Sequence, residues 1–420
     1  MSFQRYPNTA DSGVEWIGQM PSHWAVQPLK RHARLLTEKT SSREHPVALE
    51  NIEGWTGRFL ETETEFEGDG VEFKAGDVLF GKLRPYLAKT LVAESRGEAV
   101  GDFLVMRPSE AVQARFLGYQ LRSREVISII DGSTFGSKMP RANWDFVGSM
   151  PFPVPPGKEQ SDIATFLDRE TDKIDALVEE QKRLIELLRE KRQAVISQAV
   201  TKGLDPNVPL KDSGIDWLGE VPAHWNVLPC RAIVFEKTAR NDGSACGDYL
   251  SLMANVGIIP YADKGDVGNK APEDLSKCKL VAAGDIVINS MNYGIGSFGL
   301  SDLSGVCSPV YVVLRPFNEV VETRFAFRIF AHRTFQTYAQ SFGNGILAHR
   351  AAIGWDTLKS IGVPVPPLGE QRAILNHLDA STARFEALVS EAEAGVQLLQ
   401  ERRAALISAA VTGKIDVRGL

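Results

Sequence analysis

The feature that most limits what this chain can fold into is an internal duplication. Residues 12–24, SGVEWIGQMPSHW, return as SGIDWLGEVPAHW at 213–225, so Trp16, Gly18, Pro21, His23 and Trp24 match Trp217, Gly219, Pro222, His224 and Trp225 at an offset of 201. AGDV at 75–78 matches AGDI at 283–286, and Arg107-Pro108 matches Arg315-Pro316, both at an offset of 208. From Gly132/Gly343 the offset is 211. It holds through Trp144-Asp145/Trp355-Asp356, PVPP at 153–156 and 364–367, Glu159-Gln160/Glu370-Gln371, and AVISQAV (194–200) against ALISAAV (405–411). Anchors in one order at a slowly rising offset describe a tandem repeat with small insertions in its second copy. The 420 residues also exceed what one hydrophobic core supports.

Each copy has two unlike parts. In the first, short apolar runs such as GDVLFGKL, FLVMRP, GDIVINSM and SPVYVVLRP are broken by Gly, Pro, Asn and Asp and read as strands, with helical stretches at Val112–Ile130 and Thr323–Ser341. In the second, a Pro-rich stretch leads into a long run free of proline. Steps of four and three from Ile163 give Leu167, Glu170, Ile174, Leu177, Gln181, Leu184, Leu188, Lys191 and Val195; from Ile374 they give Leu378, Ser381, Phe385, Leu388, Ala392, Gly395, Leu399, Arg402 and Leu406. That spacing predicts a heptad seam, with Glu170/Ser381 and Lys191/Arg402 as polar residues able to fix register. Each rod would be about 65 Å long.

The expected fold class is α+β (mixed α/β): two globular domains in a tandem pseudo-twofold repeat, separated by two long helices packed as an antiparallel coiled coil. The expected boundaries are a first domain at 1–157, a first helix at 158–203, a second domain at 204–368, a second helix at 369–412 and a tail at 413–420. Two domains held apart by rods suit a ligand with two separated sites, and duplex DNA is such a ligand.

A net charge of −6 gives no general attraction to polyanions, so any nucleic acid must be met by local basic patches. The four cysteines, Cys230, Cys246, Cys278 and Cys307, form no C-x-x-C pair and read as free, partly buried thiols. No apolar targeting segment and no run of eighteen apolar residues occurs, which predicts a soluble, cytoplasmic protein without a membrane partner.

The segment GKLRPYLAK at 81–89 carries the strongest local signal. Lys82, Arg84 and Lys89 are interleaved with Tyr86, and strand alternation would put Lys82, Arg84 and Tyr86 on one face. Such a face could meet phosphates, and Arg84 could grip a guanine edge. In the same frame the second copy has NSMNYGIGS at 289–297, so Ser290 replaces Lys82 and Asn292, beside Tyr293, replaces Arg84. A kept framework with altered exposed side chains is what two domains reading different sequences require, and Asn292 would suit adenine. A second pair of loops, GSTFGSKMPRANW at 132–144 and GNGILAHRAAIGW at 343–355, offers Lys138 and Arg141, and Asn344, His349 and Arg350, before a helix. A solvated strand face and a structural helix-leading loop are the alternatives.

Two decoys are set aside. GIGSFG at 294–299 fits G-x-G-x-x-G, but the following SDLSGVCSPVYVVLRP reads as turn and strand rather than helix. The acidic run ETETEFEGDGVEFK at 61–74 lacks the partner of a nuclease metal site and reads as a solvated loop. The chain shows no Walker loop, HExxH, G-x-S-x-G or amino-methyltransferase motif, so neither a catalytic centre nor a metal site is expected.

The tandem organisation, W-[IL]-G-x-[MV]-P-x-H-W in each copy, PVPP followed by EQ, and helices ending A-[VL]-I-S-x-A-V-T together resemble the specificity subunits of type I restriction–modification enzymes, along essentially the whole chain. The resemblance implies two target-recognition domains, each reading half of a bipartite, asymmetric site in double-stranded DNA, with the helix pair as spacer and docking surface. It implies two methyltransferase subunits that bind S-adenosylmethionine and restriction/translocase subunits that use ATP and Mg. The chain itself would bind no cofactor and catalyse nothing. A scaffold that binds no DNA, and a nucleotide-dependent enzyme or nuclease, are the competing readings.

Overall fold

The computed structural model describes residues 3–42, 44–62, 68–134, 139–244, 246–266, 270–343 and 352–420. It divides into two compact units, Met1–Leu184 with Glu391–Leu420, and Ile185–Ser390. Each long helix therefore contributes residues to both units.

In the first unit a four-stranded antiparallel sheet has the order Ala33–Leu36, Phe103–Pro108, Val78–Gly81, Thr90–Val92. Its apolar strands alternate between two cores. Val78, Phe80, Leu104 and Met106 pack with Leu117, Leu121, Val126 and Ile130 of the helices Ala114–Leu121 and Arg124–Gly132. Leu79, Phe103 and Val105 pack on the other side with Val47, Ile52 and Phe73. A sheet buried on both faces explains why these runs read as continuously hydrophobic.

The second unit repeats the sheet as Val234–Glu236, Tyr311–Pro316, Ile286–Asn289, Phe298–Leu300. Ile286, Ile288, Val312 and Leu314 face one core, and Val287 and Val313 the other. GIGSFG lies across a short 3-10 turn (Tyr293–Ile295) and the last of these strands, so no helix follows it and no dinucleotide turn forms. Of the acidic run, residues 63–67 lie outside the described residues, and Gly70–Phe73 is a strand.

The repeated anchors turn out to be contacts. The glycine of each AGD turn is left-handed (Gly76 φ +86, Gly284 φ +86), and the following aspartate is fully buried. Asp77 accepts the Lys74 amide at 2.8 Å and two bonds from Arg107 at 2.8 and 2.7 Å. Asp285 accepts the Ala282 amide at 2.7 Å and pairs with Arg315 at 2.5 Å and Lys237 at 2.6 Å. The strand that directly follows each opening phrase meets the PVPP strand in the same way: Ala25–Pro28 pairs with Pro151–Val154, and Asn226–Pro229 with Gly362–Val365.

The residues after PVPP complete the joint. Glu159 accepts bonds from Tyr6 Oη at 3.0 Å and Trp24 Nε1 at 3.0 Å and meets His23 Nε2 at 2.6 Å. Glu370 accepts Trp225 Nε1 at 3.0 Å and meets His224 Nε2 at 2.8 Å. Gln160 is buried, accepting the Gln113 amide and donating to the Ala111 and Pro155 carbonyls, each at 2.8 Å. Gln371 repeats this with the Glu322 amide and the Val320 and Pro366 carbonyls.

The long helices span Gly157–Lys202 and Leu368–Val411. Within the first unit Asp175 pairs with Arg403 at 2.9 Å; within the second Arg192 pairs with Glu386 at 3.3 Å. In each unit the two helices thus form a pair. Its seam differs from the heptad steps. Leu177, Leu184 and Leu388 are exposed, whereas Ile163, Ile174, Ile185 and Ile196 are buried. On the second helix Ile374, Phe385, Val396 and Ile407 occupy the matching places, buried or half-buried. The eleven-residue spacing, about 3.67 residues per turn, stays closer to a straight helix than a heptad does. Glu170 serves its own helix, pairing with Lys173 at 2.8 Å, rather than fixing the seam.

Candidate nucleic-acid interface

The chain leaves the sheet at Gly81, and from there strand alternation stops. Lys82–Lys89 is a loop: Arg84 is left-handed (φ 51), Pro85–Leu87 forms a 3-10 turn, and Ala88 (φ 49) is left-handed again. Lys82, Arg84 and Tyr86 therefore do not form one strand face, which corrects the alternation argument. Arg84 is exposed, and so is Tyr86 at 44%. Lys89 turns inward and donates to the Leu49 carbonyl at 2.7 Å, so it braces the loop.

The two loops treated separately in the sequence are joined by backbone bonds. Arg84 N–H donates to the Pro140 carbonyl at 2.9 Å, Ala142 N–H to the Lys82 carbonyl at 2.8 Å, and Lys82 N–H to the Asp102 carbonyl at 2.9 Å. Asp102 also gathers charge, with Lys82 Nζ at 3.6 Å and Arg141 at 3.0 Å. Hydrogen bonding to Asp102 holds the Arg141 guanidinium above its ordinary pKa. Two of the cationic candidates are thus partly neutralised, while Arg84 has no ion-pair partner among the described residues. Lys138 lies outside the described residues.

The second unit reuses the frame with different chemistry. Ile353 N–H donates to the Ser290 carbonyl at 3.0 Å, as Ala142 does to Lys82. Tyr293–Ile295 is the matching 3-10 turn, closed by left-handed Gly296. Ser290 Oγ reaches the Val310 carbonyl at 3.3 Å where Lys82 reaches Asp102 in the other copy, and Asn292 is exposed.

Tyr293 is a correction. It is 0% exposed, and its hydroxyl donates to the Phe330 carbonyl, so it is a core residue and not part of the surface. In the aligned loops it matches buried Pro85, one position before Tyr86, and a shift of one residue on a tight turn exchanges inside for outside. Asn344, His349 and Arg350 lie outside the described residues.

Among the described residues no group of three His, Cys, Asp or Glu could hold a metal, and no helix is long and apolar enough to cross a membrane. All four cysteines are free; burial raises the thiol pKa of Cys230, Cys278 and Cys307, the last to about 12, which keeps them protonated. Each unit offers a braced loop presenting a few polar or basic side chains on a stiff sheet.

Residues 245–393 match a family described as the type I restriction modification DNA specificity domain. The chain is 23% identical to a putative type I restriction enzyme MjaX specificity subunit from Methanocaldococcus jannaschii, over 96% of each. It is 23% identical to the MjaVIII specificity subunit of the same organism, over 82% of this chain and 78% of that one. Among solved structures, the HsdS subunit from Thermoanaerobacter tengcongensis matches with a TM-score of 0.53 at 18% identity, covering 94% of this chain and 98% of that one. A chain from a structure of the assembly and conformational transition of a type I R-M system matches with a TM-score of 0.63 at 18% identity, covering 93% and 98%.

Proposed function

We infer that this chain belongs to the type I restriction–modification specificity subunits and is the DNA sequence-recognition component of such a system. Each duplicated unit reads one half of a bipartite, asymmetric site. One observation carries this reading: the same braced loop occurs in both units, with Lys82 and Arg84 exchanged for Ser290 and Asn292. A guanidinium offers two donors to a guanine edge, and a carboxamide offers a donor and an acceptor to adenine. Lys82, Arg84, Tyr86 and Arg141 form the first reading surface, braced by Lys89, and Lys138 remains a candidate on sequence alone. Ser290 and Asn292 form the second, and Asn344, His349 and Arg350 remain candidates on sequence alone.

The helix pair sets the spacer and docks two methyltransferase subunits. S-adenosylmethionine binds to those partners, and ATP and Mg to restriction/translocase subunits, so this chain binds no cofactor, catalyses nothing itself and works in the cytoplasm. Its acidic balance is compatible with this role, because partner subunits that clamp phosphates supply the salt-dependent part of the affinity.

Two experiments test the reading. The chain assembled with its methyltransferase partner loses specific binding when the spacer between half-sites changes by one or two base pairs, measured by competition binding; indifference to spacer length removes the two-reader assignment. Arg84→Ala weakens specific binding by about 1–3 kcal/mol and relaxes the preference at one base pair. Unchanged affinity and preference would take Arg84 out of the site.

A further inference from the structure

Among the described residues, four non-glycine residues have left-handed backbone: Trp55, Arg84, Ala88 and Asn255. Two of them belong to the first reading loop. The other two occupy equivalent hairpin tips in the two units, and each tip is bonded to its unit's reading loop. Trp55 (φ 68) donates its N–H to the Ala88 carbonyl at 3.2 Å, and Asn255 (φ 61) donates to the Gly296 carbonyl at 2.9 Å. Ala88 and Gly296 are the left-handed residues that close the two matching 3-10 turns. The tips, IEGWTG at 52–57 and LMANVG at 252–257, share little sequence, yet they make the same bond and each ends in a left-handed glycine, Gly57 and Gly257.

The approach is close on both sides. A Cβ on Gly54 would lie 2.4 Å from the Leu87 carbonyl oxygen, and one on Gly296 would lie 2.3 Å from Asn255 Oδ1. Left-handed backbone is unfavourable for an ordinary residue, and a tryptophan has no local side-chain hydrogen bond to offset it. Core packing does not account for Trp55, which is 38% exposed. The neighbouring backbone is held from outside: Arg403 donates to the Trp55 carbonyl at 3.0 Å while pairing with Asp175, and Arg122 donates to the Thr56 carbonyl. A bulky residue held strained and exposed on the loop that carries Arg84, with its counterpart on the loop that carries Asn292, is the pattern of a functional position.

We propose that Trp55 and Asn255 are a second base-contacting position, one for each half-site, and that Arg403 is the positioning residue for the first. This deepens the DNA-reading assignment above and rests on it. The Trp55 indole presents an apolar face suited to a thymine methyl or to stacking against an exposed base, and the Asn255 carboxamide suits the N6/N7 edge of adenine.

The test uses the full chain assembled with its methyltransferase subunits, acting on duplex libraries with one half-site randomised at a time. Trp55→Gly and Trp55→Asn both tolerate left-handed backbone, so the folded chain is retained, and an unfolding midpoint at or above wild type verifies it. The expected result is a change of about tenfold in base preference at one or two positions of one half-site, with the other unchanged. Asn255→Gly gives the reciprocal result, and Arg403→Ala reproduces the Trp55 pattern more weakly. Unchanged preference at both half-sites in the Trp55 and Asn255 variants, while wild type stays specific, overturns the tip assignment and leaves the loop assignment standing. A loss of methylation that is uniform over all sequences overturns the tip assignment as well. A wild-type complex with no sequence preference overturns the DNA-reading assignment beneath it.

Discussion

Asp285→Ala lowers the stability of the second unit by about 3 kcal/mol, read as a reduced guanidinium unfolding midpoint. The carboxylate is fully buried and faces two cations and a backbone amide. Removing it leaves Lys237 and Arg315 without their counter-charge. Their side chains are 21% and 30% exposed, so water recovers part of the loss and the effect stays near the low end for a broken buried pair. Asp77→Ala in the first unit costs less, about 2 kcal/mol, because it strands one guanidinium that is 35% exposed together with one amide. Equal losses at the two positions would mean that Lys237 contributes nothing.

Glu159→Leu destabilises the first unit by about 2–4 kcal/mol, because the buried Tyr6 hydroxyl and Trp24 indole N–H each lose their acceptor. His23, with its side chain 41% exposed, turns to water instead. The C-terminal segment should loosen as well, since Arg418 stacks on Tyr6 at 4.8 Å and Asp416 N–H donates to the Gln4 carbonyl. Faster amide exchange at Asp416 would report it.

The same carboxylate predicts an acid limb. Burial pushes the Glu159 pKa up, but the bonds from Trp24, His23 and Tyr6 outweigh burial and hold it below its ordinary 4.5. A depressed acid stabilises the fold above its unfolded pKa, and that contribution is lost as pH falls through the folded value. Wild type should therefore lose stability below about pH 4.5, and Glu159→Leu should lose less over that range. Parallel pH profiles for the two proteins would refute the assignment.

Much of the fold was legible because repetition multiplies the signal. AGD, RP, HW, PVPP and EQ were visible as markers at matching offsets, although nothing in the linear order showed that they touch one another. Asp77 meets Arg107, and Glu159 meets His23 and Trp24 from 135 or more positions away. The helix pair was legible in its existence and in its first turns, where Ile163, Leu167 and Ile174 sit in the buried stripe. It then departed from the heptad steps, because leucines at 177 and 184 satisfy a four-three count equally well, and only packing against the partner helix selects the eleven-residue stripe.

The candidate site was less legible. Alternation was extended past Gly81 into residues that have left the strand, and Tyr293 could not be told from Tyr86 without knowing which side of the turn each occupies. The hairpin tips were missed altogether: Trp55 and Asn255 share no residue type, and the signal that joins them is backbone conformation and one hydrogen bond.

The amino-acid sequence by itself determined the duplication, the mixed α/β class of each repeat, the long helices and the family resemblance. These depend on residue order and on apolar spacing along one segment at a time. The tertiary structure decided which anchors contact each other, that residues 140–142 brace the loop at 82–89 as Ile353 braces Ser290, that Asp102 rather than solvent meets Lys82 and Arg141, and that Tyr293 belongs to the core. Those outcomes depend on distant segments sharing one volume, where packing and charge pairing select among arrangements that local sequence leaves equally open.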